Sequence, residues 1–252
     1  MSEVPIDFDV VFCHPSRVGG GPVRTLLQEV YADRHRVEYN SFPPSLRFGR
    51  PSEVSFLFDL VCRYQPRPIR ALTTNFLVPI ELLGPVSAAP RFVTMLRHPL
   101  ERICSEFLQF RDQSERWRKA ADKNIKALSR DVETFAETMR RHEFYVRLFG
   151  QKEVFEPVDE TDLERAVTVM HGFDHVGFMQ RIPDTLAYVA ASVHPELSDA
   201  AGKTVARLYD EATRQESRAK AFLARLPRST RAQLEEANAL DLALYNQAPG
   251  RP

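Results

Sequence analysis

The residues Asp9 to Tyr31, DVVFCHPSRVGGGPVRTLLQEVY, decide how the chain is interpreted. The apolar run Val10 to Phe12 predicts a short buried strand, and apolar residues at helical spacing after Pro22 predict a helix. Proline is favoured in the first turn of a helix, because its missing N–H would have no partner there. The glycines Gly19 to Gly21 lie between these two elements. The stretch therefore predicts a strand, a glycine loop and a helix.

The predicted loop suits an anionic ligand. Glycine lets the backbone approach a ligand closely, and the N–H groups at a helix start attract phosphate. Arg17 and Arg24 flank the loop and add positive charge. No lysine follows the glycines as in a Walker loop, and the glycines are not spaced as in a dinucleotide-binding loop. A tight turn with no ligand explains this stretch equally well.

Length and composition limit the class of protein. We expect one domain over residues 1–252, because this length is within the range of a large α/β domain. The 34 basic and 34 acidic residues cancel, so no overall field selects nucleic acid or an anionic membrane. Cys13, Cys62 and Cys104 show no metal or disulfide pattern, which indicates free thiols in a reducing compartment. The seven histidines show no ligand pattern, and we expect His35 to be solvated.

Predicted strands alternate with predicted helices along the rest of the chain. We expect strands at 35–42, 69–76, 91–96 and 175–179. We expect helices at 53–64, 100–110, 130–149, 161–170 with Thr161 as the cap, 183–193, and throughout 200–247. Residues 43–51 are predicted to form a surface loop, and 113–126 an exposed helix or a mobile lid. This order predicts an α/β fold with a central parallel sheet, helices on both faces and a helical C-terminal part.

A second basic motif follows the strand at 91–96, in the stretch Thr94 to Phe107, TMLRHPLERICSEF. If Pro99 opens a helix, Ser105 lies about two turns into it and Arg97 lies at the strand end. Both side chains can then face one anion at the carboxyl edge of the sheet, where open α/β sheets bind ligands. The planar fork of arginine and the hydroxyl of serine both suit phosphate. A turn without a ligand would explain Pro99 but not this spacing.

The two motifs together resemble those of sulfotransferases that use 3′-phosphoadenosine 5′-phosphosulfate (PAPS). The run from His14 to Val23 is similar to H-x-P-K-T-G-G-T-S-L of the glycan sulfotransferase branch, with arginine in place of the lysine. The run from Leu96 to Phe107 is similar to L-R-D-P-x-x-R-x-x-S-x-Y, with His98 replacing the aspartate. Asp174 to Ile182 and Asn238 to Tyr245 are similar to the family's V-G-L-T-E-R strand and N-x-x-D-x-x-L-Y helix, although core packing is the simpler explanation of any single residue in them.

The resemblance implies a P-loop-like sulfotransferase fold and transfer of a sulfuryl group from PAPS to a hydroxyl. The implied acceptor is a carbohydrate or a glycosylated small molecule, and the implied nucleotide product is adenosine 3′,5′-bisphosphate. The residues implied to hold the 5′-phosphosulfate are Arg17, Val18, Gly19, Gly20, Gly21, Pro22, Val23 and Arg24. Arg97 and Ser105 are implied to hold the 3′-phosphate, and no metal is implied.

The expected location follows from segments that the sequence lacks. It shows no signal peptide and no apolar run of the roughly 20 residues that a spanning helix needs. Glycan sulfotransferases of eukaryotes usually carry a Golgi anchor. We therefore expect either a cytoplasmic enzyme of bacterial type or a chain from which an anchor has been trimmed. The sequence does not set the oligomeric state.

Two departures from the family pattern concern the chemistry. Arg17 keeps the positive charge of the family's catalytic lysine but does not readily transfer a proton. Asn75 stands where one glycan-sulfating branch has its histidine base, so we expect it to contact the acceptor without acting as a base. Glu38 is the first alternative for the base and His142 the second, and a solvated charge is the simpler interpretation of either.

Two other functions stay open. The departures motivate the first, which is a nucleotide-binding protein that has the same fold and no turnover. The second is a kinase or NTPase. It is less favoured because the Walker lysine and an evident Mg²⁺-binding acid are missing.

Overall fold

The computed structural model describes residues 8–38, 69–75, 90–116, 130–138, 142–152, 156–214 and 218–251. Five strands of these residues form one sheet in which every neighbouring pair is parallel. They are β1 (Val10–Cys13), β2 (His35–Glu38), β3 (Ala71–Thr74), β4 (Arg91–Leu96) and β5 (His175–Phe178). Their order across the sheet is β2-β3-β1-β4-β5. β1 therefore lies at the centre of the sheet.

The described residues also form ten α-helices. They are α1 (Gly21–Tyr31), α2 (Pro99–Arg116), α3 (Val132–Thr138), α4 (Phe144–Gly150), α5 (Glu160–His171), α6 (Ile182–Ser192), α7 (Ser198–Arg214), α8 (Arg218–Arg225), α9 (Arg228–Glu236) and α10 (Ala239–Gln247). The predicted α/β fold with a parallel sheet and a helical C-terminal part is confirmed.

Both faces of the central strands are covered. Every residue of β1 and β3 is buried, as expected for parallel strands that pack on both sides. One apolar cluster joins the sheet to α1 and to α4 through α7, with Leu26, Phe149 and Leu186 among its buried members. A second cluster joins α2, α3, α8 and α9 around Phe107 and Phe135. α2 therefore packs on an apolar cluster that is separate from the cluster around the sheet.

The register brings three strand ends to one edge. Cys13 is opposite Thr74 on one side and Thr94 on the other. The Thr94 hydroxyl donates a hydrogen bond of 2.9 Å to the carbonyl of Cys13, and the N–H of His14 donates one of 2.6 Å to the carbonyl of Thr74. The segments that follow β1, β3 and β4, which contain the glycine loop, Asn75 and Arg97, therefore leave the sheet side by side.

One predicted helix is wrong. A continuous helix over 130–149 is not formed, because His142 and Glu143, directly before α4, form a turn. Glu143, just before α4, has a left-handed backbone with φ 52°. In this conformation its carboxylate accepts hydrogen bonds from the N–H groups of Leu240 and Asp241 at the start of α10. A contact with the far end of the chain therefore replaces the local helical pattern.

The predicted cap of the next helix is also wrong. Asp159, not Thr161, caps α5: its carboxylate accepts from the N–H groups of Thr161 and Asp162 at 2.9 and 3.1 Å. Asp162 accepts from the N–H of Asp159 in return. The predictions for 43–51, 53–64 and 117–126, and the ends of the strands predicted at 35–42 and 69–76, lie outside the described residues.

Candidate functional site

The turn between β1 and α1 has a tightly specified backbone. Gly19 has φ 87° and Arg17 has φ 70°, so both lie in the left-handed region. A residue other than glycine in such a sparsely populated conformation costs of order 1–3 kcal/mol, and these residues cluster at functional sites. The conformation of Arg17 therefore marks this turn as a place to look for a function.

Gly20 and Gly21, the other two glycines of the turn, differ in their surroundings. A Cβ on Gly20 would lie 2.5 Å from Cδ2 of His14 and 2.8 Å from Cζ of Phe12, so the ring packing excludes any larger residue. A Cβ on Gly21 would meet none of the described residues within 4 Å. Gly20 is thus required by the internal packing of the turn, whereas Gly21 borders open space in the described part of the chain.

The start of α1 is left open for a ligand. Gly20 is its N-cap, no side chain makes a capping hydrogen bond in this described helix, and its first turn has no acidic residue. Pro22 is buried in that first turn and brings no N–H. The side chains of Val18 and Val23 are fully buried, so these residues can offer only their backbone to a ligand. With no capping side chain from the described residues, the positive end of the helix dipole at this open start favours an anion.

Arg17 joins the two basic motifs. Its Nε and one terminal nitrogen donate hydrogen bonds of 3.2 and 3.0 Å to the Oγ of Ser105, which is 7% exposed on α2. A hydroxyl has two acceptor lone pairs and one O–H, so these two bonds turn the O–H of Ser105 into a donor for another group. Burial lowers the pKa of Arg17, and the charge of Glu106 opposes this effect. The guanidinium nevertheless stays charged at neutral pH.

Arg97 follows β4 and lies against the glycine loop. Its side chain is almost fully buried, and one terminal nitrogen is 3.4 Å from the backbone oxygen of Arg17. Its Nε lies 3.5 Å from Oε2 of Glu101, one turn into α2. Burial lowers the pKa of Arg97; Glu101 and Tyr145 oppose this, and the neighbouring charge of Arg17 adds to it. The buried guanidinium of Arg97 and the half-buried Arg17, whose charge acts on it, together favour an anion between or beside them.

Arg24, in the first turn of α1, contributes a third cation. It is half-buried, and its charge acts on His14 and His35. Burial, together with these nearby charges, lowers the pKa of each histidine to about 4, so both imidazoles are neutral at pH 7. The expectation of a solvated His35 is wrong, because its Nε2 lies 2.8 Å from the hydroxyl of Thr73 in a half-buried position.

The residues considered for the acceptor and the base lie in different places. Asn75, half-buried, directly follows β3 and so lies beside the glycine loop. Glu38 ends β2 opposite Thr74, which brings its backbone to the same edge, but its side chain lies outside the described part of the chain. His142 instead has its Nδ1 3.0 Å from Nδ2 of Asn238, beside the start of α10. The structure thus brings Asn75 and the backbone of Glu38 to the edge, and places His142 in the helical part.

Two residues of this region were not recognised from the sequence as supports for the site. Arg102 matches the sulfotransferase motif, but its side chain is fully buried, 2.9 Å from Glu106 and 4.1 Å from the centre of the Phe144 ring. Tyr145 is also fully buried and hydrogen-bonds the backbone of Arg97. Only the arginine had a signal, its place in the motif, whereas the tyrosine comes from a separate helix and had none.

The fold and this edge define a class of parallel α/β proteins in which a glycine-containing turn between the first strand and first helix meets a basic strand end. No protein-family model matches the chain, and no curated protein matches it significantly. Within the described ranges, no helix has the length and apolar character needed to cross a membrane.

Proposed function

We propose that this protein is a sulfotransferase that moves a sulfuryl group from PAPS to a hydroxyl of a carbohydrate or glycosylated small molecule. The observation that carries the proposal is the pair of hydrogen bonds from Arg17 to Ser105. These bonds join the glycine loop and the second basic motif into one site. The glycine turn alone is explained equally well without a ligand, and its contact with the second motif is what favours an anion site.

The donor groups suit a ligand with two anionic ends. Arg17, Arg24 and the open start of α1 form one group, which suits a phosphosulfate. Arg97 and the O–H of Ser105 form the second, which suits a separate phosphate. PAPS has both kinds of group, and AMP has only one. The expected discrimination between a bisphosphate and a monophosphate therefore tests the second group directly.

PAPS, when bound, supplies a sulfuryl group activated by its bond to phosphate. Negative charge grows on the bridging oxygen as that bond breaks, and a donor already held in place stabilises this charge most effectively. Ser105 and the left-handed backbone hold Arg17 in such a fixed position. We assign to Arg17 the stabilisation of the leaving oxygen and to Asn75 a contact with the acceptor.

The acceptor hydroxyl must also lose a proton. Glu38 remains our first choice for the base, because its backbone lies at the correct edge of the sheet. His142 is less suited, since its contact with Asn238 gives it a role in the helical part. The cytoplasmic location also stays part of this proposal, and the buried free thiols of Cys13 and Cys104 fit a reducing compartment.

A nucleotide-binding protein without turnover is the second candidate function. The observation that favours it is the arginine itself: Arg17 is held by Ser105 and does not readily give a proton to a leaving oxygen. A kinase or NTPase is less favoured, because the loop has no Walker lysine.

Calorimetry with adenosine 3′,5′-bisphosphate, AMP and ATP tests the cofactor. We expect the bisphosphate to bind at least about tenfold more tightly than AMP, because charged hydrogen bonds contribute about 1.5–3 kcal/mol. Arg97→Ala should remove this preference. Arg91→Ala is the matched control, since Arg91 begins the same strand at the opposite edge and is paired with Asp174.

Three outcomes separate the candidate functions. Equal binding of the bisphosphate and AMP by the wild type would refute the 3′-phosphate assignment. Tighter binding of ATP than of the bisphosphate would favour a kinase or NTPase. Bisphosphate binding without product release, over a panel of glycan and glycoside acceptors, would favour the binding protein.

A further inference from the structure

The hydroxyl of Tyr145 makes two hydrogen bonds to one residue of the site. It accepts from the N–H of Arg97 at 3.1 Å and donates to the carbonyl of Arg97 at 2.9 Å. Since β4 ends at Leu96, Arg97 is the first residue beyond the strand. Buried backbone groups need partners. The phenol therefore satisfies the main chain at the point where the strand turns into α2.

The position of Tyr145 is itself fixed by a second contact. Tyr145 lies in the first turn of α4, and the carboxylate of Asp241 accepts from the N–H groups of Tyr145 and Val146 at 3.1 and 2.8 Å. In return, Glu143 accepts from the N–H groups of Leu240 and Asp241 at 3.0 and 2.6 Å. We call this pair of contacts the carboxylate exchange: each carboxylate caps the start of the other helix.

The carboxylate exchange is costly to bury. Burial raises the pKa of Asp241 to about 6, opposed mainly by the hydrogen bonds from Val146 and Tyr145. Burial also raises the pKa of Glu143 to about 7, and the nearby charge of Asp241 adds to this. The four N–H groups that donate to the two carboxylates offset part of this cost, because buried polar groups are tolerated when they are hydrogen-bonded.

The carboxylate exchange fixes the start of α4 against α10, and the phenol of Tyr145 joins α4 to the residue after β4. We propose that Tyr145 is a positioning residue of the anion site: it holds the main chain of Arg97 so that the guanidinium stays against the glycine loop. The inference rests on the proposed function, because the 3′-phosphate is the group that Arg97 would bind. Tyr145 itself is fully buried, so we assign it no direct contact with the ligand.

Tyr145→Phe tests this role because it removes only the hydroxyl. We expect the affinity for adenosine 3′,5′-bisphosphate to fall about tenfold, as for the loss of hydrogen bonds that orient a charged group. The affinity for AMP should stay within about twofold of wild type, because its phosphate would lie at the glycine loop. The rate of hydrogen exchange at the Arg97 amide, measured by NMR in the absence of ligand, should rise by about tenfold or more.

Tyr31→Phe is the matched control. Tyr31 is also buried, and its hydroxyl donates to Asp9, which precedes β1 at the opposite edge of the sheet. This variant should change neither the two affinities nor the exchange of the Arg97 amide. Should Tyr145→Phe not fold, Asp241→Asn serves instead, since asparagine keeps only one acceptor oxygen for the two N–H groups of α4. It should weaken bisphosphate binding by about threefold and spare AMP.

The results separate failure of this role from failure of the proposed function. Unchanged bisphosphate affinity in Tyr145→Phe, or an equal loss for both nucleotides, would overturn the positioning role. If the wild type binds the bisphosphate no more tightly than AMP, the sulfotransferase proposal fails. The rate of amide exchange at Arg97 alone then tests whether Tyr145 holds the main chain of Arg97. An unchanged exchange rate at Arg97 then overturns the role of Tyr145, and a faster rate supports it.

Discussion

Replacing Arg17 should separate binding from chemistry. Arg17→Ala removes the guanidinium that donates twice to Ser105, but alanine tolerates the positive φ no worse than arginine does. The loop should therefore keep its shape, so the effect should come from the lost charge. Loss of one fixed donor at a developing negative charge typically lowers the rate by about 10²–10³. This corresponds to about 2.7–4 kcal/mol of transition-state stabilisation.

The effect of Arg17→Ala on affinity should be smaller. Arg24, Arg97 and the open start of α1 remain to bind the two anionic ends of the ligand. We expect bisphosphate affinity to fall about tenfold, near the lower limit for a hydrogen bond to a charged group. Arg17→Lys keeps the charge and introduces the lysine of the family motif, so turnover should be retained or increased.

The assay is release of adenosine 3′,5′-bisphosphate at saturating PAPS with a mixed glycan acceptor. Wild type, Arg17→Ala and Arg17→Lys are compared, with Arg91→Ala as a charge-loss control at the other edge of the sheet. Full activity of Arg17→Ala would refute the catalytic assignment, and Arg24 would be tested next. Binding without release in wild type and both Arg17 variants would favour a protein without turnover.

Further predictions concern the stability of the site and its surroundings. Gly20→Ala should destabilise the fold by about 1–3 kcal/mol in urea unfolding, because its Cβ would overlap the His14 ring. Gly21→Ala should unfold like wild type, because its Cβ would meet none of the described residues within 4 Å. The pKa of His35 is about 4 in the folded protein, whereas the same side chain takes up its proton near pH 6.5 in the unfolded state. The unfolded state therefore binds more protons between these values, and the free energy of unfolding falls as the pH is lowered from 6.5 to 4. Urea unfolding across this range should show a shallower loss for His35→Gln than for wild type, and equal slopes would contradict the buried neutral imidazole. Asp159→Ala should lower the free energy of unfolding by about 1 kcal/mol through loss of the cap of α5, and an unchanged value would show that the cap contributes nothing.

Much of the site follows from local sequence. The strand predicted at 91–96 has the bounds of β4, and the strand, loop and helix predicted from Asp9 to Tyr31 form as β1, the glycine turn and α1. The spacing of Arg97 and Ser105 also predicts that both side chains can face one anion at the carboxyl edge of the sheet. Short-range periodicity predicts the strands and the helix, and the motifs that follow the strands meet because the strand ends of a parallel sheet share one edge.

Other features depend on partners far away in the chain. Periodicity predicts one helix over 130–149, but Glu143 adopts a left-handed backbone to cap α10, 97 and 98 residues further on. The role of Tyr145 comes from the same region, since its hydroxyl reaches a strand end 48 residues earlier. Local propensity contains no information about such contacts. Asp159 is a different case: a capping sequence was present, but the cap lies two residues before the predicted one.

The central position of β1 has a consequence for synthesis of the chain. Its neighbour β3 begins at Ala71 and its other neighbour β4 at Arg91, and Thr94 bonds a carbonyl 81 residues earlier. At about 5–20 residues per second, a ribosome needs about 4–16 s to add these residues. During this time an apolar strand lacks its partners, and unpaired strand edges invite aggregation. Chaperone capture of nascent chains should therefore be strongest before Leu96 has left the ribosome.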